Sequence, residues 1–208
     1  MLRLDHVVLA VRDLEASAGR LWEEQGIRFE PGGRHAAWGT ANMIAPLGGS
    51  YLELLGVVDP DVGRVSALGR TLTELSADGD RWFSVCLSDE DIERTAARLG
   101  LTVRHGSRTR PDGVEVRWRG AGIDERGDEL WLPFFIDWDV PARLHPGAGP
   151  GRHRVDVRGI DRVEVAGDET RLREWVEGRD VPIRVVAGDP GVRRVVLALG
   201  DGELVIEG

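Results

Sequence analysis

One pattern recurs along these 208 residues and limits the fold more than any other: a strand, a helix and further strands, written three times. The first copy opens with Leu4-Asp5-His6-Val7-Val8-Leu9-Ala10 and the third with Ile160-Asp161-Arg162-Val163-Glu164-Val165-Ala166. In the first, Asp13 supplies an N-cap, Leu14, Ala18, Leu21 and Trp22 fall at helical spacing, and Gly26 supplies a stop. Ile27 to Glu30, roughly Ala36 to Pro46, and Ser50 to Val58 then read as strands, separated by Pro31-Gly32-Gly33 and Gly48-Gly49. The second copy takes its first strand from Trp82 to Leu87. Its helix carries Ile92, Ala96 and Leu99 behind a cap at Ser88 or Asp89, with Gly100 as the stop. Strands are expected around Leu101 to Val103, Val114 to Trp118 and Leu130 to Trp138, with Arg110-Pro111-Asp112-Gly113 as a hairpin turn. In the third copy Asp168 caps a helix carrying Leu172, Trp175 and Val176, and strands follow at Ile183 to Ala187, Val192 to Leu199 and Glu203 to Glu207.

A β-α-β-β-β unit of about 55 residues cannot close its sheet alone, so copies should pair edge to edge. The fold class expected is α+β: repeated modules pairing into a curved, cup-like mixed sheet with helices on the outer face. The divisions are a first module at 1–58, a connector at 59–80 with one helical turn, a second module at 81–140, a linker at 141–153 and a third module at 154–208. Three modules leave one without an intrachain partner, and a homodimer is expected to supply it.

The formal charge of −9 argues against nucleic acid or an anionic membrane as partner. All 27 basic residues are arginine, which removes lysine Schiff-base chemistry and a P-loop lysine, and no nucleotide cofactor is expected. No apolar run approaches the roughly 20 residues of a membrane helix, and the N-terminus lacks the shape of a signal peptide, so a cytoplasmic location is expected. The single cysteine, Cys86, reads as a small core residue.

Chemistry concentrates on two strands. Alternation places His6 with Leu4, Val8 and Ala10, and Glu53 with Tyr51 and Leu55, opposite the apolar faces Val7/Leu9/Val11 and Leu52/Leu54. Each strand thus carries one metal-competent group on its second face.

Leu4 to Val11, Gly33-Arg34-His35-Ala36-Ala37-Trp38-Gly39-Thr40-Ala41-Asn42 and Tyr51-Leu52-Glu53-Leu54-Leu55 together resemble the glyoxalase-like proteins of the vicinal oxygen chelate superfamily. Arg110 to Gly113, Leu132 to Trp138 and His145-Pro146-Gly147 look like the same branch. The resemblance covers residues 1 to 145 and implies paired modules around a small-molecule site. It also implies a divalent metal (Zn, Fe, Mn or Ni), with His6 and Glu53 at the positions of a first-strand His and a last-strand Glu. The second copy departs from this: Ser84 falls where His6 does, and Phe134 or Phe135 where Glu53 does. The third has Arg162 and Val205 there. Half a metal site results, and catalytic metals usually take three protein ligands or more. His35, in a glycine-rich stretch, or His145, held extended by Pro146, is the candidate to complete it, as a metal ligand or as general base.

Trp38, Tyr51, Trp118, Phe135 and Trp138 are the candidate walls of an aromatic substrate pocket. Among Arg108, Arg110, Arg117 and Arg119 on one hairpin, Arg110 is the candidate clamp for an anionic group. Two functions compete. One is a metal-dependent lyase, isomerase or dioxygenase; the other is a metal-independent binder that sequesters a small molecule such as a drug.

Overall fold

A computed structural model describes residues 1–207. The first repeat forms β1 (Arg3–Ala10), α1 (Leu14–Gln25), β2 (Glu30–His35), β3 (Thr40–Pro46) and β4 (Tyr51–Val57). Asp13 caps α1 by accepting from the Ala16 N–H at 3.0 Å, and Gly26 ends it in the left-handed region at φ 72°. Helices α2 (Pro60–Gly63) and α3 (Ala67–Leu75) follow. The second repeat forms β5 (Arg81–Ser88), α4 (Ile92–Leu99), β6 (Arg104–Thr109), β7 (Glu115–Ala121) and β8 (Phe134–Trp138). After a 3-10 turn at Ala142–Leu144, the third gives β9 (Val157–Ala166), α5 (Glu169–Trp175), β10 (Ile183–Val186), β11 (Gly191–Leu199) and β12 (Gly202–Glu207). Among the described residues no helix is long and apolar enough to cross a membrane.

The first two repeats pair into one closed barrel in the order β1-β4-β3-β2-β6-β7-β8-β5. Strands β1 and β5 meet antiparallel, with His6 opposite Cys86 and Val8 opposite Ser84. Each pairs parallel with the last strand of its own repeat, Val8 with Glu53 and Cys86 with Phe134. A pseudo-two-fold therefore carries His6 onto Ser84 and Glu53 onto Phe134. The other joint, β2 to β6, is a single residue pair, Arg34 with Thr109.

Strand alternation divides the apolar residues between two cores. Val7, Leu9, Leu52, Leu54, Val85 and Leu87 face outward against helices and the third repeat, while Val8, Ala10, Leu55, Phe83, Phe134 and Ile136 face inward. The connector at 59–80 is more than a helical turn: α3 presents Leu68 and Leu72 to the inner core and stops one end of the barrel. Its capped start at Ser66 and its apolar residues at i and i+4 make it a short amphipathic helix.

Three strand expectations shift. Pro31-Gly32-Gly33 lies inside β2, where a register shift between Pro31 and Gly33 lets a sparsely paired strand carry a proline. The strand expected at Leu101 to Val103 starts at Arg104. The one expected from Leu130 starts at Phe134, because residues 122–133 form a loop folded around Arg126.

The third repeat keeps the element order and changes the pairing, to β10-β9-β11-β12, with its first strand in the middle of the sheet. Its apolar side, Val163, Val165, Val195 and Leu197, joins the outer core of its own chain. The Trp82 indole donates to Ile206 O at 3.2 Å and the Trp175 indole to Pro133 O at 2.8 Å. The apolar face of the third repeat is thus covered within the molecule. The other side of this sheet carries the ion pairs of Arg162 with Glu164 and Glu203, and of Arg194 with Glu164 and Glu207.

Candidate functional site

The register of β1 shifts between Leu4 and His6, and this irregularity turns Asp5 to the same side as His6. Both are buried. His6 Nδ1 and Asp5 Oδ1 lie 2.6 Å apart, and the His6 ring stacks on Tyr51 with centroids 4.4 Å apart.

The hydrogen-bond order fixes the protons along this line. The Gly147 N–H donates to His145 Nδ1 at 3.0 Å, so His145 carries its proton on Nε2 and donates it to Asp5 Oδ2, also at 3.0 Å. The Trp138 indole donates to the same oxygen at 3.0 Å. Asp5 Oδ1, a pure acceptor, then takes the Nδ1 proton of His6. Burial pushes the Asp5 carboxyl up, but hydrogen bonds from His145 and His6, joined by the attraction of either ring when it is protonated, outweigh it and hold the group well below the usual carboxylate range. His6 Nε2 faces Glu53 Oε2 at 3.4 Å. Glu53 Oε1 accepts from Asn42 Nδ2, which orients the Asn42 amide and leaves its buried Oδ1 with no donor.

His6, Glu53, Asn42, His35 and Arg108 line one cavity of about 50 Å³ inside the barrel, walled by Trp38, Tyr51, Trp118, Phe134 and Trp138. Four of the five expected aromatic residues meet there. Phe135 faces the other way, fully buried in the outer core and stacked on Trp175, and Phe134 takes the inward place. Arg110 lies outside the cavity, 3.0 Å from Asp112, while Arg108 lines the interior. Arg108 is 5% exposed, and its Nη1 has no hydrogen-bond partner among the described residues. His35 is buried with Nδ1 3.0 Å from Thr40 Oγ1; desolvation, aided by the Arg108 charge and opposed by Glu53, lowers its pKa to about 4. His145 has both ring nitrogens engaged.

The pseudo-symmetric position is filled differently. Ser84 accepts from Arg126 Nη1, whose guanidinium also donates to the carbonyls of Gly122, Ile123, Leu130 and Leu132. Its charge lies over the rings of Phe83 and Phe134 at 5.7 and 5.6 Å. An arginine therefore stands where a second His and Glu would have completed a metal shell.

The family described as glyoxalase-like domain matches residues 4–178. The chain belongs to it. The fold of this glyoxalase-like chain is also that of a solved structure. A hypothetical protein from Staphylococcus aureus superposes with a TM-score of 0.66 at 20% identity, covering 100% of this chain and 86% of that one. Methylmalonyl-CoA epimerase from Streptomyces coelicolor, in complex with 2-nitronate-propionyl-CoA, gives 0.48 at 20% identity, over 66% of this chain and 98% of that one. The epimerase from Mycobacterium tuberculosis gives 0.45 at 17% identity, over 64% and 86%. Among curated proteins none matches.

Vicinal oxygen chelate proteins commonly bind divalent metals, and Asp5, His6 and Cys86 offer donors within 4.8 Å of one another. Two of these are engaged with each other, and burial raises the Cys86 thiol well above its ordinary value. The freer donor edge is His6 Nε2 with Glu53 Oε2, two protein ligands where a catalytic metal usually has three.

Asp5, Asn42 and Arg126 escape a reading by alternation. The first depends on the strand irregularity, the second on the pairing of β3 with β4, and the third on a loop with no periodicity. An acidic residue beside His6 on a strand was the one visible sign.

Proposed function

We propose that this glyoxalase-like chain is an enzyme that moves a proton on a small organic molecule held inside the barrel, with His6 and Glu53 as the reacting pair. The observation that supports it best is the bare Nε2 of His6 facing the Glu53 carboxyl at 3.4 Å, with Nδ1 tied to Asp5. Two acceptor atoms so placed can take a proton from a carbon next to a carbonyl and return it, the step that forms an enediolate or similar anion. Asp5 positions His6 as a carboxylate orients a histidine base elsewhere, and Asn42 positions Glu53. Burial excludes competing water.

The binder reading is supported by the aromatic walls, yet about 50 Å³ is small for a drug-sized ligand, whose sites run to hundreds of Å³. A divalent-metal enzyme is the second reading, supported by the Asp5–His6–Cys86 donors. A metal held by His6 and Glu53 would act as a Lewis acid on the substrate oxygens.

Solvent-deuterium incorporation into small carbonyl and hydroxy acids, followed by NMR, tests the proposal. Wild-type protein treated with chelator should exchange a substrate C–H, and His6→Gln and Glu53→Gln should each lower the rate by about 10²–10⁴-fold. Exchange abolished by chelator and restored by Zn, Fe, Mn or Ni moves the assignment to a metal enzyme. Exchange no faster in wild type than in His6→Gln rejects the proposal.

A further inference from the structure

Two residues lining the cavity each hold a buried polar atom with no partner among the described residues, and the two atoms are of opposite kind: the Arg108 Nη1 donor and the Asn42 Oδ1 acceptor. Both lie against the same glycine pair. A Cβ on Gly32 would overlap Asn42 Oδ1, and one on Gly33 would come within 3.4 Å of Arg108 Nη1. Leaving such groups unsatisfied is costly, for a guanidinium above all, so each is placed for something the protein itself does not supply. The ion pairs of this chain involve other arginines, and among the described residues none joins Arg108 to Glu53.

We propose that Arg108 and Asn42 recognise a small 2-hydroxycarboxylate, the carboxylate on the Arg108 fork and the hydroxyl donating to Asn42 Oδ1. The planar guanidinium matches a carboxylate with two parallel bonds. Both residues line the one small cavity, so the carboxylate and the hydroxyl of a single small ligand can meet them together. The space of about 50 Å³ holds a few waters or a ligand of a few heavy atoms. The buried Asp5 and Glu53 carboxyl groups favour a monoanion over a phosphate dianion. Arg108 also forms the floor of a surface groove lined by Glu30, Pro31, His145 and Pro146, which gives the anion a way in. The inference rests on the reading of the barrel interior as the reacting site and adds the class of molecule that reacts there.

Isothermal titration of the full chain with lactate, propionate, lactamide and inorganic phosphate tests it. Lactate should bind saturably and propionate about tenfold more weakly, for want of the hydroxyl. Lactamide and phosphate should not bind. Arg108→Met should lose lactate affinity by about 100-fold while its ligand-free melting temperature stays level or rises, since the variant removes an unpaired buried charge. Lactate affinity unchanged in Arg108→Met, tighter binding of phosphate, or no saturable carboxylate binding overturns the proposal, as does a ligand-free Arg108→Met that melts well below wild type, which would make the arginine structural. Deuterium exchange separates this from the reaction proposed above. Lactate binding that needs Arg108, without His6-dependent exchange, leaves the recognition standing and removes the reaction. His6-dependent exchange that ignores Arg108 does the reverse.

Discussion

Asp5 and His6 are consecutive in sequence yet turn to the same side of β1, their side chains 2.6 Å apart. Without the shift in register between Leu4 and His6, the carboxyl would lie in the outer apolar core and His6 would have no orienting partner.

Replacing that carboxylate should therefore touch rate and acid stability together. Asp5→Asn should lower turnover by about 10–100-fold, as loss of an orienting partner does for a ligating histidine. The folded Asp5 carboxyl is depressed below its unfolded value of about 3.9, so its stabilising contribution is present above that pH and disappears as pH falls through the folded value. Urea titrations between pH 5 and 2 should show a shallower loss of stability in Asp5→Asn; parallel curves would disprove this.

His35 makes the complementary case. Its folded pKa of about 4 lies below an unfolded value of about 6.5, so the unfolded chain binds the extra proton between them. Stability from this residue is complete above about pH 6.5 and is lost as pH falls toward 4, on the order of 3 kcal/mol in all. A His35→Gln variant should flatten the stability curve across that window, which chemical denaturation at several pH values would reveal.

Arg126 is bound to carbonyls and to Ser84 with no carboxylate partner among the described residues, and burial lowers its pKa to about 10. Arg126→Ala removes the cation and strands several buried acceptors, for an expected loss of about 3–5 kcal/mol. Equilibrium unfolding in urea measures it, and a loss under 1 kcal/mol would mean that the loop refolds around the gap.

Leu72 is 1% exposed where α3 stops the barrel. Leu72→Ala should cost about 2–5 kcal/mol and enlarge the interior. In titration the variant should accept hydroxy acids with longer side chains than wild type does. Unchanged ligand preference would show that α3 does not bound the binding space.

The repeated element order, the curved mixed sheet it builds and the two strands that carry His6 and Glu53 were legible because period-two and period-3.6 patterns encode buried faces directly. What lay hidden depends on departures from those periods. Phe135 and Phe134 are adjacent and equally apolar, so which one faces inward is decided by where β8 begins in register with β5. Arg108 lies inside β6 opposite Val116 while Arg110 falls just past the end of that strand in the hairpin turn, a boundary that residue spacing does not mark. His145 reaches Asp5 from 140 positions away, through a loop that no periodicity describes. The third repeat copies the element order while re-pairing its strands, and element order alone carries no information about which edge meets which.

The substitution of Ser84 for a second histidine has a wider consequence. The two repeats share one interior but contribute opposite chemistry to it: Asp5 and Glu53 come from the first, Arg108 and Arg126 from the second, all four nearly inaccessible to water. A duplicated scaffold has become polar across its own symmetry axis, with an internal electric field running from one repeat to the other. A molecule that enters meets a vessel that is symmetric in shape and directional in charge. A ligand bound there as proposed would settle one way round, with one seat per chain.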